Sequence, residues 1–142
     1  CNLFAVFDAP VNVLFSEIFL KNLETYKDIF ANFKMSNNIF FSCKANKSIG
    51  LLRLCSNSGC GIEVSSYYEL VDALKFTKKI ICSGPAKTDK YIRLALNNDL
   101  IISVDDYEEL KTIAGFNMNA KILIRINDIV ESLISRFGVN LV

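Results

Sequence analysis

Two basic residues that continue short apolar runs could do chemistry. Lys44 follows Phe40–Cys43, and Arg125 follows Lys121–Ile124. The chain contains no His, so the commonest general base and metal ligand is absent, and catalysis would rest on Lys, carboxylates, Cys or Tyr. A lysine held against apolar residues loses hydration and becomes a better nucleophile, which is what Schiff-base chemistry needs. From position alone, however, such a lysine is more often solvated, with its stem covering apolar surface.

The cysteines do not have the spacing of a metal site. There are five, and no two of them form a CxxC pair. With no His available as well, a zinc centre is disfavoured. The pattern is typical of reduced, mostly buried thiols in a cytoplasmic protein. The cysteines are Cys1, Cys43, Cys55, Cys60 and Cys82.

Composition excludes several classes of protein. Of the 142 residues 51% are hydrophobic, and the net charge is +1, so a disordered tail and a nucleic-acid binder are both disfavoured. No apolar stretch reaches the roughly 18 residues of a membrane span, so we expect no membrane association. The N-terminus lacks the pattern of a signal peptide and begins with Cys1, which we interpret as excision from a longer chain.

Strand-like and helix-like segments alternate along most of the chain. Five apolar runs rich in β-branched or aromatic residues start about 20 residues apart: Ile39–Cys43, Gly61–Val64, Lys79–Cys82, Leu100–Val104 and Lys121–Ile126. The segments between them have helical spacing: Ile49–Cys55, Tyr67–Phe76, Thr88–Leu96 and Tyr107–Ile113. Such alternation predicts right-handed βα units and a parallel sheet, and apolar strands predict that both faces are covered.

Helix caps and an opening segment complete the predicted elements. Residues Pro10–Leu14 look extended, and Ser16 is predicted to cap an amphipathic helix that reaches Phe33. Its buried stripe is predicted to contain Ile18, Phe19, Leu23, Tyr26, Ile29 and Phe30. The predicted caps of the later helices are Ser65 or Ser66, Thr88, and Asp105 or Asp106.

Five βα units can form half of an open doubly wound sheet or part of a (β/α)8 barrel. Neither GxGxxG nor GxxxxGK[ST] occurs, so no nucleotide fingerprint supports the open sheet. Each apolar run ends in polar or small residues, at the face where barrels place their chemistry. Helix capping accounts for Asp105 and Asp106, but it does not account for Lys44 and Arg125.

Five segments in order resemble known motifs. Residues Phe41–Asn46 resemble YAVKAN, and Gly61–Leu70 resemble GFDVVSGGEL. Residues Ser83–Thr88 are similar to SGxGKS, Asp105–Leu110 to VDSxEEL, and Leu123–Asn127 with Arg136–Gly138 to LRINP…KFG. With these motifs the chain resembles the fold-type III pyridoxal-phosphate-dependent decarboxylases, which include the diaminopimelate, ornithine and arginine decarboxylases. Each motif alone is weak, but their order and spacing are specific, and the resemblance covers roughly Pro10 to the end.

The resemblance implies roles for individual residues. Lys44 matches the lysine that forms a Schiff base with pyridoxal 5'-phosphate, and Arg125 matches an arginine near the cofactor ring. Ser66 and Glu69 match the pocket wall beside the lysine, where Glu69 is expected to hold the ammonium by charge. Glu63 stands where the family usually has Asp, so its role as a cofactor contact is the least secure.

The resemblance also implies an architecture and partners. We expect residues 1–38 to form a strand and helix leading into a partial (β/α)8 barrel of the alanine racemase-like type. Residues 39–142 would supply about five of its eight βα units. The expected partners are an amino-acid substrate and a second copy of the full-length protein in a homodimer. Family residues that bind phosphate and the pyridine nitrogen come later, so we expect the 142-residue chain alone to bind the cofactor weakly and not to turn over.

Several functions remain open within and beyond this family. The first is decarboxylation of diaminopimelate or a related basic amino acid, and the second is decarboxylation of a carrier-bound or siderophore/antibiotic precursor. Alanine racemase would show KADAYGHG where this chain has Lys44–Gly50. A non-catalytic regulatory homologue would fit Glu63 in place of Asp, and a purely structural βα domain would leave the ordered motifs unexplained. Lys87 is either at the pocket mouth or a solvated loop lysine.

Overall fold

The computed structural model describes residues 12–127 and 138–140. The chain divides into two compact units, with the boundary between Asn37 and Asn38. In the first unit, residues 12–14 have no regular secondary structure, and Pro10 and Val11 of the predicted extended segment lie outside the described residues.

Helix α1 (Ser16–Asn32) is the helix of the first unit. The residue preceding it is Phe15, which has no side-chain oxygen for capping, so the prediction that Ser16 is the cap was wrong. Of the predicted stripe, Leu23 is buried, but three members are largely exposed. They are Ile18, Tyr26 and Ile29, for which the prediction of burial was also wrong.

The second unit alternates strands and helices as the sequence predicts. Its elements are β1 (Phe40–Ser42), a 3₁₀ turn (Cys43–Ala45), α2 (Ile49–Asn57), β2 (Gly61–Val64), α3 (Tyr67–Ala73), β3 (Ile80–Cys82), α4 (Asp89–Asn97), β4 (Ile101–Val104), α5 (Tyr107–Gly115), β5 (Lys121–Ile124), β6 (Ile126–Asn127) and β7 (Val139–Asn140).

The main sheet has five parallel strands in the order β1-β2-β3-β4-β5. This sequential order, with a helix in each connection, confirms the predicted α/β class and fits part of a (β/α)8 barrel. Its register places Ser42 beside Glu63, Val64 beside Cys82 and Val104 beside Ile124. Strands β6 and β7, which were not predicted, form a separate parallel pair.

Apolar side chains bury the three middle strands against the helices. The largest fully buried side chains include Ile62, Val64, Ile80, Ile102 and Val104 from strands and Leu52, Leu70 and Ile92 from helices. Each such side chain contributes roughly 1.5–3 kcal/mol relative to exposure. All four residues of β5 are exposed, which departs from the predicted burial of every strand. The well-packed middle strands hold the chain segments that follow them in defined positions.

No helix in residues 12–127 or 138–140 is long and apolar enough to cross a membrane.

Candidate active site

Polar side chains surround a cavity of about 580 Å³ at the carboxyl ends of the strands. This volume lies within the range of small-molecule pockets. Residues at or just after the ends of all five strands contribute to its lining. The polar side chains that line it belong to Lys44, Glu63, Ser65, Ser83, Ser103 and Arg125. The structure therefore brings together three of the five predicted site residues.

Lys44 lies on the 3₁₀ turn that follows β1. The preceding residue, Cys43, is 1% exposed and anchors this turn, whereas the lysine itself is exposed. The apolar surroundings that the sequence suggested for Lys44 are therefore not found. Within the described ranges the amine has no ion-pair or hydrogen-bond partner. It is accessible to a ligand that enters the cavity.

Glu63 lies on β2. The two neighbouring strands, β1 and β3, each have a serine at or directly after their carboxyl end. The Glu63 carboxylate accepts hydrogen bonds from Ser42 on one side and Ser83 on the other. Ser65 also donates to it, at 3.3 Å. Glu63 reaches both neighbours because Ser42 is its register partner on β1 and Ser83 directly follows β3. This arrangement holds one negative charge rigidly in the cavity that contains Lys44.

Ser66 and Glu69 do not line this cavity. The Ser66 hydroxyl caps α3 by accepting from the Glu69 N–H at 3.3 Å. The Glu69 carboxylate is buried, accepts from the Ser65 N–H at 2.8 Å, and pairs with the Lys47 ammonium at 2.8 Å. Glu69 therefore holds Lys47, and the expectation that it would hold Lys44 was wrong. Ser66 is a helix cap, as the alternative reading of the sequence allowed.

Lys87 is neither at the pocket mouth nor solvated, so both sequence-based alternatives were wrong. Its side chain is 1% exposed, and its ammonium donates to both carboxylate oxygens of Glu109 at 3.0 Å. It also donates to the backbone oxygens of Gly84 at 2.7 Å and Ser103 at 2.6 Å. This buried ion pair ties two segments of the cavity wall to α5.

Arg125 directly follows β5, where its backbone N–H donates to the Val104 oxygen at 3.0 Å. Arg125 lines the cavity, and its guanidinium lies 3.7 Å from the carboxylate of Asp105, measured from Nη1 to Oδ1. Asp106 caps α5, as predicted, by accepting from the Glu109 N–H at 2.8 Å. The side chain of Asp105 does not cap the helix, and this departs from the prediction that capping accounts for both aspartates. The residues missed as site members are Ser65, Ser83 and Ser103, although all lie at strand ends.

The cysteines near the cavity are not placed to act as nucleophiles. Burial raises the pKa of the Cys82 thiol to about 12, and burial together with the Glu69 carboxylate raises that of Cys43. Both thiols therefore stay protonated near neutral pH. The prediction of free, buried thiols is confirmed for Cys43, Cys55, Cys60 and Cys82, while Cys1 lies outside the described residues. In the part of the chain that the structure describes, no cluster of His, Cys, Asp or Glu could hold a metal ion.

The donor set of the cavity fits pyridoxal phosphate. A primary amine is needed for its aldehyde, and cationic and hydroxyl donors are needed for its anionic oxygens. Lys44 supplies the amine, and Arg125 and serine hydroxyls supply the donors. Gly84, at φ +89°, brings its backbone so close to the end of β2 that a Cβ would lie 2.9 Å from the Ser65 oxygen. A larger residue would therefore force the backbone at Gly84 or Ser65 to shift, at the wall of the cavity.

Comparison with known proteins gives the same family. Residues 18–139 match the family described as pyridoxal-dependent decarboxylase, pyridoxal binding domain. An uncharacterized protein from Sinorhizobium fredii is 34% identical, over 92% of this chain and 30% of its own length. A diaminopimelate decarboxylase from Campylobacter jejuni is 31% identical, over 80% of this chain and 32% of its own length.

A solved structure shows the same architecture. The crystal structure of diaminopimelate decarboxylase from M. jannaschii has a TM-score of 0.87 and 25% identity, over 98% of this chain and 37% of that chain. The chain thus spans about a third of the length of these proteins. The expected cofactor is confirmed at the level of the family, because the matching domain is a pyridoxal-binding one. The chain belongs to the pyridoxal-dependent decarboxylase family, within its pyridoxal binding domain.

Proposed function

We propose that the full-length protein is a pyridoxal-phosphate-dependent amino-acid decarboxylase in which Lys44 forms a Schiff base with the cofactor. The observation that carries this proposal is the accessible Lys44 amine, which shares one cavity with Arg125 and Glu63 at the carboxyl end of the sheet. Two other lysines that follow strands are excluded from this role by their contacts. Lys47 is paired with Glu69, and Lys87 is buried against Glu109.

Each cavity residue has a task in this chemistry. Nζ of Lys44 would hold the cofactor through its aldehyde carbon, and once the substrate amine had taken its place it would be free to hold or move a proton. When bound, pyridoxal phosphate supplies an electron sink for the electron pair left behind as the α-carboxylate departs as carbon dioxide. Arg125 supplies positive charge for an anionic group, and Glu63 supplies a negative charge held in place by serine hydroxyls.

The substrate that we propose is diaminopimelate, whose decarboxylation gives lysine and would place the protein in lysine biosynthesis. Two of the similar proteins are diaminopimelate decarboxylases. A carrier-bound or siderophore/antibiotic precursor is the second candidate, because the Ser83–Thr88 segment resembles that of relatives that decarboxylate such precursors. A homodimer is part of the proposal, as the family resemblance implies. Buried free thiols support a reducing compartment, so we propose the cytoplasm.

Borohydride reduction of the full-length protein with pyridoxal phosphate tests the covalent role of Lys44. Reduction converts a Schiff base into a stable secondary amine, so we expect the added mass on the peptide that contains Lys44. The Lys47→Ala variant is the matched control and should be labelled as the parent protein is, because Lys47 is 67% exposed and bound to Glu69. Label on another lysine would contradict the proposal. No label at all would favour a non-catalytic regulatory homologue.

The 142-residue chain alone is expected to bind the cofactor weakly and to show no turnover. The four residues of β5 are exposed, and Leu123, which lines the cavity, is 48% exposed. Water therefore reaches the cavity from this side and competes with a bound ligand. Absorbance titration with pyridoxal phosphate and a carbon dioxide assay provide the check. Stoichiometric Schiff-base absorbance together with decarboxylation by the isolated chain would contradict this expectation.

A further inference from the structure

Asp105 is buried directly after the end of β4. It is 5% exposed, and neither carboxylate oxygen has a hydrogen-bond partner among the residues described. A buried carboxylate in this condition is unfavourable unless an opposite charge compensates it. The cation at ion-pair distance is the guanidinium of Arg125, with Nη1 3.7 Å from Oδ1. The two side chains follow neighbouring strands.

A second strand-to-helix junction in the same sheet shows that helix capping does not require this carboxylate. The chain reads Val-Ser-Ser-Tyr-Tyr-Glu-Leu at residues 64–70 and Val-Asp-Asp-Tyr-Glu-Glu-Leu at residues 104–110. In both junctions the third residue caps the helix, through Ser66 or Asp106.

The backbone contacts of the two junctions also correspond. The glutamate at the sixth position of each stretch accepts from the backbone N–H four residues earlier. Glu69 accepts from the Ser65 N–H at 2.8 Å, and Glu109 accepts from the Asp105 N–H at 3.0 Å. Only the backbone of the second residue takes part, and Ser65 fulfils this role without a carboxylate. The contacts of the junction therefore do not account for the negative charge of Asp105.

We infer that Asp105 is a positioning residue for Arg125, holding the guanidinium toward the cavity that it shares with Lys44. The Arg125 side chain is 47% exposed, and a charged contact with a buried carboxylate restricts the rotamers that it samples. The buried carboxylate attracts the guanidinium, and the positive charge of Arg125 is then held at the cavity wall, where it can attract an anionic oxygen of the cofactor or substrate.

This inference rests on the proposed function, because the anionic ligand is that of the proposed decarboxylase. A positioning residue lowers the entropy that Arg125 loses when it binds that ligand. Removal of the Asp105 charge should therefore raise the dissociation constant of the cofactor through its effect on Arg125. It should not lower the thermal stability of the protein.

The test measures the dissociation constant of pyridoxal phosphate for the full-length protein by absorbance titration, together with the thermal midpoint of the cofactor-free protein. The variants are Asp105→Asn, Asp105→Ser, Arg125→Ala and the double variant Asp105→Asn/Arg125→Ala. Asp105→Ser introduces the residue type that occupies the corresponding position at residue 65, so it provides a second variant if Asp105→Asn does not fold. Asp106→Asn is the matched control, with the same change in charge one residue away on an exposed cap.

We expect Asp105→Asn to weaken cofactor binding on the order of tenfold. The thermal midpoint should stay unchanged or rise, because the variant removes a poorly compensated buried charge. In the Arg125→Ala background the same substitution should have no further effect on binding. Asp106→Asn should change binding less than about twofold, since Asn also caps helices and exposed charges are screened.

Three results would overturn the inference. They are parent-like binding by Asp105→Asn, an effect that persists in full in the Arg125→Ala background, or a loss of binding accompanied by a lower thermal midpoint. Failure of the inference about Asp105 can be distinguished from failure of the proposed function. If the parent protein carries the cofactor on Lys44 and the Asp105 variants bind equally well, only the positioning role is wrong. If the parent protein does not bind pyridoxal phosphate, both are wrong.

Discussion

Replacement of Lys44 by alanine in the full-length protein is expected to lower kcat for decarboxylation by at least about three orders of magnitude. The substitution removes the amine that holds the cofactor covalently and that moves a proton during turnover. Lys44 is exposed and has no ion-pair partner in the described ranges, so its removal should leave the free energy of unfolding nearly unchanged. Loss of activity without loss of stability distinguishes a catalytic lysine from a structural one.

Three companion measurements make this test specific. The Lys44→Arg variant keeps the positive charge but cannot condense with an aldehyde, so it should be as inactive as Lys44→Ala. Lys47→Ala, three residues away, should retain most of the activity. Added methylamine or ethylamine should restore part of the activity of Lys44→Ala, because a free amine can replace the missing proton-transfer group. Activity of Lys44→Arg near that of the parent protein would show that charge, not covalent chemistry, is the role of Lys44.

The βα framework could be predicted because it depends on patterns that are local in the sequence. Strand β2 has the predicted bounds, and β1, β3 and β4 differ from their predicted bounds by a residue or two. Buried parallel strands need continuous apolar runs, and helices that cover them need apolar residues at helical spacing. The same argument predicted that Lys44 and Arg125 both lie at the carboxyl ends of the strands, and both are found there, in one cavity.

The ion pairs could not be predicted because they depend on the path of each loop. Glu69 and Glu109 occupy the same position in two similar junctions, and each binds a lysine from the loop after an earlier strand. For Glu69 this lysine is Lys47, since the 3₁₀ turn brings Lys47 to α3 and leaves Lys44 beside the cavity. Sequence spacing does not show which of two lysines, one within the turn and one two residues after it, faces the cavity.

Two other predictions were wrong because burial depends on tertiary structure, which local sequence patterns do not show. Helical periodicity in α1 predicted which residues share a face, but it could not show that Ile18 and Tyr26 on that face are exposed. The burial of Asp105 likewise requires knowledge of its surroundings, because Asp105 and Asp106 are adjacent residues of one type. A repeated Val-x-x-Tyr-x-Glu-Leu pattern was the available signal, since it separates the capping residue from the one before it.

The buried Lys87–Glu109 pair leads to the largest expected effect on stability. Lys87→Met should lower the free energy of unfolding by about 3–5 kcal/mol, because it leaves the Glu109 carboxylate buried without its cation. The ammonium also donates to the Gly84 and Ser103 oxygens, and both residues line the cavity. The loss of these hydrogen bonds leaves two partly buried carbonyl oxygens without this donor, which adds to the cost.

Urea denaturation of the full-length protein, with hydrogen exchange at β4 to localise the effect, provides the measurement. Lys111→Met is the matched control, because Lys111 and Glu108 form an exposed pair on the same helix α5 at 2.9 Å. This control should cost at most about 0.5 kcal/mol. The double variant Lys87→Met/Glu109→Leu should recover much of the stability lost in Lys87→Met, since no uncompensated charge remains. If Lys87→Met costs no more than Lys111→Met, the buried pair is not what joins the cavity wall to α5.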